Sequence, residues 1–493
     1  MADGVKEYNS PMILERASRQ ALVSRRQKLS AALSAVHGAA GRETKGDTKG
    51  ETRSARDWAA LFSAGQPRPR NYAANVHPFR PDSHFLYFFG WGPPGAMGLI
   101  ADGRATLYLP PDEADAALWS GPQPSHADIA AALDVSVAPL DQLGEALRRR
   151  PTATLPAVDP QARALQAALL GRELRPRQLA DADAALADAV IGLRLCHDEA
   201  ALAEMRFAAQ ATAAAHAAGM NATRPGQREQ VVRAAMEAEL TARGCATAYG
   251  SIVTVHGEIL HNETHMNLLD EADLLLADVG AESPAGWAAD VTRTWPVSGR
   301  YGTAQADIYD VVLTAQTTAI EAVRAGARYR DIHVRATETL AQGLRALGVL
   351  LGDPVERAHD GTAALFFPHG VGHLLGLDVH DMEDLGDRAG YASGRVRAEA
   401  AGLRYLRLDR DLAVGMAVTI EPGIYFVPAL LDNPETRAHF GNRVNWSRVE
   451  TYCRVRGVRI EDDVLVTEGG NEVLTVAIPK TRHDIETVLS ARR

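Results

Sequence analysis

A short segment rich in histidine and glycine, PHGVGHLLGLDVHD (residues 368–381), carries the side chains most suited to chemistry. It holds three histidines and three glycines, and His369 lies four residues before His373. Four-residue spacing places two side chains on one face of a helix, but each glycine destabilises a helix by about 1 kcal/mol relative to alanine. The segment is therefore either a metal site that the backbone approaches closely or a glycine-rich loop with incidental histidines.

Four acidic residues interrupt or end apolar strands, namely Asp278, Asp290, Glu421 and Glu461. An isolated charge within an apolar strand is unfavourable. The turn SPAG (residues 283–286) between the first two acids predicts a hairpin that brings their carboxylates together. Taken singly, each acid is explained as well by a salt bridge or by a strand face exposed to solvent.

As a set beside the histidines, the four carboxylates would repel one another unless cations lay among them. Carboxylate oxygens with one imidazole suit Mn²⁺, and Co²⁺ and Zn²⁺ are the alternatives. Four carboxylates carry more charge than one divalent ion neutralises. The sequence therefore predicts a pair of ions, which hydrolytic enzymes hold about 3.5–4 Å apart.

The first half of the chain alternates between segments typical of strands and of helices. Strands are predicted in HFLYFFGW (84–91), AMGLIAD (96–102) and ATLYLPP (105–111), and a helix in LDQLGEALRRR (140–150). This alternation predicts an α/β domain that ends near residue 190.

The second half predicts four longer helices, over residues 197–219, 225–244, 303–326 and 328–348, with strand pairs between and after them. Helices combined with hairpin-like strand pairs indicate an α+β domain built over one curved antiparallel sheet. Each strand pair carries two of the acids, which suggests a duplicated half-domain.

Composition limits the partners and the location. The chain has 493 residues, enough for two domains, and 46% hydrophobic with 23% charged residues is typical of a globular protein. The net charge of -10 argues against nucleic acid as a partner. There is no apolar run long enough for a membrane span, no signal-like start in MADGVKEYNSPM, and three distant cysteines form no disulfide framework. We therefore expect a cytoplasmic protein with neither a nucleic-acid nor a membrane partner.

Four motifs resemble, in this order, those of the pita-bread metallopeptidases: DVTRTWP (290–296), HGVGHLLGLDVHD (369–381), TIEPGIY (419–425) and VRIEDD (458–463). This family includes methionine aminopeptidase, aminopeptidase P and prolidase. RPDSHFLYFFGW (80–91) is similar to the creatinase-like N-terminal domain of the last two. The resemblance implies an α+β protein, with a creatinase-like α/β domain at residues 1–190 and a pita-bread catalytic domain with a curved antiparallel sheet at residues 191–493.

The resemblance also implies a set of metal ligands, namely Asp278, Asp290, His373, Glu421 and Glu461. The two aspartates lie twelve residues apart, one more than in the family, and the SPAG turn can accommodate the extra residue. Arg459 shares a strand face with Glu461, which suggests that it orients a ligand.

Further residues are implied to act on the substrate. His261 would line the substrate pocket, while His369 and His380 would contact substrate or the tetrahedral intermediate. Glu421 would carry a proton from the attacking water to the proline nitrogen, and His380 would stabilise the oxyanion. Three other histidines match no motif and are expected to be structural, namely His265, His333 and His359.

Two features resemble prolidase more than aminopeptidase P. Arg407 lies fourteen residues before Glu421, where prolidases carry an arginine that binds the carboxylate of a dipeptide. The long segment over residues 425–462 also resembles the prolidase branch. The sequence therefore predicts a dinuclear-metal Xaa-Pro dipeptidase. The alternative is an Xaa-Pro aminopeptidase acting on longer peptides, and a non-catalytic binding module is the least favoured reading. Family resemblance further suggests a homodimer.

Overall fold

The computed structural model describes residues 18–43, 58–111, 118–119, 121, 123–176, 178–179 and 181–492, and of residues 35–43 only the backbone. The chain divides into two units. The first is Met1–Arg194 with Asp384–Gly386, and the second is Leu195–Glu383 with Asp387–Arg493. The boundary that we predict at residue 190 lies close to this division, within the last helix of the first unit.

The first unit has a five-stranded mixed sheet with helices. Its strands are β1 Ala59–Ser63, β2 Pro69–Tyr72, β3 Asn75–Val76, β4 Met97–Ala101, β5 Arg104–Leu109, β6 Ser136–Pro139 and β7 Thr152–Thr154. Its helices are α1 Arg19–Glu43, α2 Ser83–Phe89, α3 His126–Leu133, α4 Leu143–Arg148, α5 Pro160–Leu170 and α6 Asp181–Arg194. The sheet order is β6-β5-β4-β1-β7, in which β5–β6 and β1–β7 are parallel. The predicted α/β class is confirmed.

One predicted strand of this unit is wrong. HFLYFFGW forms helix α2 instead, because Asp82 caps its start by accepting the backbone N–H groups of His84 and Phe85. Gly90 ends the helix in the left-handed conformation at φ 71°. The aromatic side chains favour strands on propensity alone, but here capping and burial of the helix determine the structure.

The second unit combines long helices with short antiparallel strands. Its helices are α7 Glu199–Ala222, α8 Glu229–Ala242, α9 Thr303–Ala322, α10 Tyr329–Ala346, α11 Pro354–His359, α12 Asp387–Gly390, α13 Pro428–Leu431, α14 Pro434–Phe440, α15 Trp446–Glu450 and α16 Arg482–Ser490. Its strands are β8 Ala246–Thr247, β9 Ile252–Thr254, β10 Leu274–Asp278, β11 Ala281–Glu282, β12 Thr292–Pro296, β13 Ala417–Ile420, β14 Gly423–Tyr425, β15 Gly457–Arg459, β16 Asp462–Thr467 and β17 Gly470–Val473. Within the described residues, no helix is both long and apolar enough to cross a membrane.

A repeated arrangement in the second unit supports the predicted duplication. Helix α7 packs against α8, and α9 packs against α10. Each pair is joined by a turn with a left-handed glycine, Gly226 at φ 81° and Gly326 at φ 80°. Each second helix begins after an arginine, Arg228 or Arg328, and each pair is followed by antiparallel strands that carry two of the acids.

The strand ladders break where two of the acids lie. Ile420 pairs with Asp462 at the end of β13, and pairing resumes between Gly423 and Arg459 in β14 and β15. Glu421 and Glu461 occupy this break. The second unit therefore has two three-stranded antiparallel sheets, β12-β10-β9 and β13-β16-β17, and short two-stranded ladders. The backbone N–H of Glu461 donates to the carbonyl of Thr292 at 3.0 Å and links the two strand groups. The α+β class itself is confirmed.

Between Val371 and Leu375, the histidine- and glycine-rich segment runs beside β13 and shares backbone hydrogen bonds with it. The backbone N–H groups of Thr419 and Glu421 donate to the carbonyls of His373 and Val371 at 3.0 and 2.8 Å. Because alternate residues of an extended chain face the same side, the four-residue spacing directs His369 and His373 together without a helix.

Two glycines of this segment, Gly372 and Gly376, leave room for close packing against the protein itself. A Cβ on Gly372, at φ +151°, would lie 2.3 Å from the carbonyl oxygen of Thr419 and 2.4 Å from the hydroxyl of Tyr329. A Cβ on Gly376 would lie 2.7 Å from the carboxyl group of Asp381. The close approach that requires glycine is therefore between the segment and its own protein neighbours.

Replacing Gly372 with alanine is expected to destabilise the second unit by about 1–3 kcal/mol, the range for forced overpacking. The new methyl group would push the segment away from β13 and displace His373. Thermal and urea unfolding measure the change, and Gly469→Ala is the matched control, because its Cβ meets nothing within 4 Å. Equal stability of the two variants would contradict this account of Gly372.

Candidate metal centre and active site

One cavity in the second unit brings every predicted site residue together. Its volume is about 410 Å³. The predicted residues in its lining are His261, Asp278, Asp290, His369, His373, His380, Arg407, Glu421, Arg459 and Glu461. Strand ends supply the acids, and the histidine- and glycine-rich segment beside β13 supplies His369 and His373. Residues far apart in sequence thus converge on one space.

The ligand atoms of Asp290, His373 and Glu461 lie within 4.8 Å of one another, close enough to share one cation. His373 Nε2 is 3.4 Å from Asp290 Oδ2 and 3.6 Å from Glu421 Oε1. The other ring nitrogen, Nδ1, is 3.0 Å from the carbonyl oxygen of Leu374 and must donate to it, because a carbonyl only accepts. Nε2 therefore turns its lone pair towards the carboxylates.

The electrostatics of this cluster fit a cation. Burial lowers the pKa of His373 to about 4, so its imidazole is neutral. Burial raises the pKa of Glu421 to about 8, and burial with neighbouring carboxylates raises that of Glu461 further above its usual value. The raised pKa values mean that these carboxyl groups resist ionisation unless positive charge lies among them, and the neutral imidazole offers its lone pair to the same space. The residues present fit a divalent metal site.

Asp278 is held by two neighbours. Its Oδ2 accepts from Arg459 Nη2 at 2.5 Å, and its Oδ1 accepts from the Tyr249 hydroxyl at 2.6 Å. The predicted hairpin forms, since Asp278 pairs with Thr292 across β10 and β12. In the turn between the two strands, Gly286 adopts φ 89° and donates its N–H to the carbonyl of Ser283.

Arg459 connects two of the acids. Its Nε donates to the Thr292 hydroxyl at 2.9 Å, and that hydroxyl donates to Glu461 Oε2 at 2.7 Å. Its Nη2 holds Asp278, so one buried guanidinium fixes the position of both carboxylates.

Asp290 is anchored through its backbone. Both oxygens of the buried Asp463 accept its N–H, at 3.2 and 3.1 Å. Burial and the charge of Asp290 raise the pKa of the Asp463 carboxyl group well above its usual value. This contact places Asp290 at the start of β12, with its side chain in the cavity.

His369 has both ring nitrogens engaged by the protein. Nδ1 donates to the Gly370 carbonyl at 2.8 Å, and burial lowers the pKa of the ring to about 3. The neutral Nε2 then accepts from the Tyr425 hydroxyl at 2.8 Å. Direct binding of substrate by His369 would require exchange of one of these hydrogen bonds.

His380 lies beside His373, with ring centroids 4.1 Å apart and ring planes tilted by 56°, and its Nδ1 lies 2.7 Å from Glu383 Oε2. Because a carboxylate only accepts, Nδ1 carries the proton and Nε2 is the nitrogen left for the cavity. The predicted role at the oxyanion therefore needs a second proton on Nε2, whereas the neutral ring accepts from a substrate N–H.

Four further histidines differ in their positions. His261 is exposed at the cavity, next to Leu260. His265 Nε2 is 2.9 Å from the Ser251 carbonyl, and His333 Nδ1 accepts the N–H of Val371 at 3.2 Å. His359 is an exposed partner of Glu338 at 2.9 Å. The last three make structural contacts outside the cavity lining.

Sequence reasoning missed several residues that position the site, namely Tyr249, Thr292, Glu383, Tyr425 and Asp463. Three of them, Thr292, Tyr425 and Asp463, carried a usable signal, because each lies two to four residues from a predicted site residue in the same motif, whereas Glu383 lies two residues beyond the end of its nearest motif. Tyr249 had none, since it lies 29 residues before Asp278, outside every motif.

Two protein-family models match the chain. Residues 203–468 match the model described as metallopeptidase family M24, and residues 22–154 match the one described as the aminopeptidase P N-terminal domain. The first match covers more than half of the chain and includes every residue of the cavity.

Relatives and solved structures match along most of the chain. A probable Xaa-Pro aminopeptidase of Botryotinia fuckeliana is 31% identical over 419 residues, which cover 84% of this chain and 88% of the relative. The aminopeptidase PepP structure from Pseudomonas aeruginosa has a TM-score of 0.75 at 28% identity, covering 97% of this chain and 99% of the other. Aminopeptidase P from Escherichia coli in complex with substrate has a TM-score of 0.76 at 27% identity, with the same coverage.

Proposed function

The chain belongs to metallopeptidase family M24, and on that premise we propose that it is an Xaa-Pro aminopeptidase. It would release the first residue from peptides that carry proline in the second position. The observation that carries the proposal is the similarity of both units together to proteins named Xaa-Pro aminopeptidase and to structures of aminopeptidase P.

The dipeptidase that the sequence favoured has less support than its alternative. The long segment over residues 425–462 was one argument for it. Its middle part folds into α13, α14 and α15, none of which contributes a described residue to the cavity lining, whereas Arg459 and Glu461 at its end do. The length of that middle part therefore carries little information about the substrate. Arg407, the other argument, lines the cavity but already contacts a carboxylate of the protein. A non-catalytic binding module is disfavoured, because all the carboxylates and the imidazole of a metal site are present.

Divalent metal ions would be held by Asp278, Asp290, His373, Glu421 and Glu461. We propose two ions, with Mn²⁺ as the first candidate, because hard oxygen donors dominate the set. Such ions would polarise the scissile carbonyl and lower the pKa of water. Arg459 and Thr292 hold two of the carboxylates in place for this purpose.

The chain's own groups would move the proton and bind the peptide. Glu421 would accept a proton from the attacking water and deliver it to the proline nitrogen, which has no N–H in the peptide bond. His380 Nε2 and His261 would contact the peptide from the cavity wall, and the Tyr425 hydroxyl fixes the ring of His369. A homodimer and a cytoplasmic location remain predictions from the sequence.

Substrate length tests the proposal. We expect kcat/KM for Ala-Pro-Ala to exceed that for Ala-Pro by roughly tenfold or more, which corresponds to about 1.4 kcal/mol. The reason is that a dipeptide brings an unpaired carboxylate into the cavity. Ala-Ala-Ala is the control for the proline requirement. A higher kcat/KM for Ala-Pro would instead favour the dipeptidase.

A further inference from the structure

The guanidinium of Arg407, in the wall of the cavity, already forms an ion pair with a carboxylate of the protein. Arg407 lines the cavity, and 38% of its side chain is exposed. Its Nη1 contacts Oε1 of Glu383, the first residue of a short 3₁₀ helix, Glu383–Leu385, that follows the histidine- and glycine-rich segment. The contact joins residues 24 positions apart, so it depends on the fold and not on local chain geometry.

The same carboxylate also holds a cavity histidine. Glu383 Oε2 accepts from His380 Nδ1 at 2.7 Å, so each oxygen of Glu383 has its own partner. Burial alone would raise the pKa of Glu383, but His380 and Arg407 bring it to about 2. Glu383 is therefore an anion fixed between an imidazole and a guanidinium.

The charged side chains that line the cavity determine where a substrate carboxylate could bind. Among the described residues that line the cavity, the arginines are Arg407 and Arg459. Arg459 is 5% exposed in its side chain and is bound to Asp278. A peptide that ends at proline would therefore have to displace Glu383 from Arg407 and lie beside its negative charge. A longer peptide presents a neutral amide at that point and meets no such repulsion.

We infer that Glu383 is a specificity-determining residue that masks Arg407 and so disfavours substrates whose carboxylate directly follows proline. This inference rests on the proposed function, since it names the substrate feature that the same site rejects. The carboxylate of Glu383 takes the position that a dipeptide carboxylate would otherwise occupy on the guanidinium.

Glu383→Gln separates the two contacts of this side chain. Its amide oxygen still accepts from His380, whereas the negative charge facing Arg407 is lost. We expect the ratio of kcat/KM for Ala-Pro to that for Ala-Pro-Ala to rise by roughly three- to tenfold, as suits a partly solvated charge pair. The rise should lie mainly in a lower KM for Ala-Pro. If the substitution instead reduced activity in general by disturbing His380, kcat/KM would fall equally for both substrates and the ratio would not change.

Two further variants complete the test. Adding Arg407→Met to Glu383→Gln should abolish the rise, because the unmasked guanidinium is what binds the dipeptide. Glu399→Gln removes the same charge from an exposed position and should leave the ratio at its wild-type value. Thermal unfolding of each metal-loaded variant verifies that it is folded.

The outcomes distinguish this inference from the proposed function. An unchanged ratio in Glu383→Gln, or a rise that persists without Arg407, would overturn the masking role even if the wild-type protein prefers Ala-Pro-Ala. A wild-type preference for Ala-Pro would overturn the aminopeptidase proposal. The shift between wild type and Glu383→Gln would still report on Glu383.

Discussion

Replacing Glu421 with glutamine is expected to lower kcat for Ala-Pro-Ala by about 10³-fold, within the range that a positioned acid–base group contributes. Glutamine keeps the size of the side chain but can neither take a proton from water nor deliver one to the proline nitrogen. Glu421 is suited to this exchange because it lines the cavity within 3.6 Å of His373 Nε2. Steady-state kinetics at saturating Mn²⁺ measure the effect.

The folded structure should survive this substitution. Glu421→Gln removes one charge from a cluster of buried carboxylates, so the metal-free variant should unfold at the same temperature as the wild type or a higher one. Glu399→Gln, a loss of charge at an exposed position, serves as the kinetic control. A rate close to that of the wild type for Glu421→Gln, in protein that still binds metal, would refute the proton-transfer role.

Removing metal is expected to abolish activity, and adding Mn²⁺ to the chelated protein should restore it and raise the midpoint of thermal unfolding. An ion that binds only the folded state stabilises it by about 2.7 kcal/mol at a concentration of 100 Kd. His373→Ala should weaken Mn²⁺ binding by roughly 10²-fold or more, since even groups that merely orient a ligand contribute 10–100-fold. Metal analysis and the change in midpoint with Mn²⁺ concentration report the affinity.

A matched histidine provides the control for this experiment. His359 is exposed and pairs with Glu338, so His359→Ala should bind Mn²⁺ as the wild type does. The same titration with Co²⁺ and Zn²⁺ identifies the preferred ion. If the wild-type protein binds none of the three, the carboxylate cluster is not a metal centre and the proposed peptidase mechanism fails with it.

Local sequence patterns predicted the helices of the second unit well. The segment over residues 225–244 forms α8 Glu229–Ala242, because its apolar residues recur at helical spacing and bury one face through Val232, Met236 and Leu240. The same reasoning failed for HFLYFFGW, in which aromatic residues suggested a strand and the caps at both ends produced a helix. It also failed at Gly219, where the predicted helix ends, because α7 continues to Ala222. Glycine is required at this position because Met236 of α8 packs too closely to leave room for a Cβ.

The metal-binding part of the candidate site could be predicted, because its residues lie in recognisable motifs and also have an unusual chemical setting. Acids placed at the ends of apolar strands have few stable explanations, and this physical constraint singles out Asp278, Asp290, Glu421 and Glu461 in the sequence. The choice of substrate was not predictable in the same way. The position of Arg407 before Glu421 suggested a carboxylate grip, but the sequence gives no sign that Glu383 reaches the same guanidinium.

The sequence by itself determined the kinds of groups at this site, the family of folds that could hold them and the need for positive charge among them, because residue type and strand periodicity follow directly from the chain. Tertiary structure alone decided their partners. Tyr249 on Asp278, Thr292 on Glu461 and Glu383 on Arg407 are contacts between segments that meet only after folding. Such contacts leave no periodic or local trace in a sequence, since they depend on how distant elements pack and on where their ladders break.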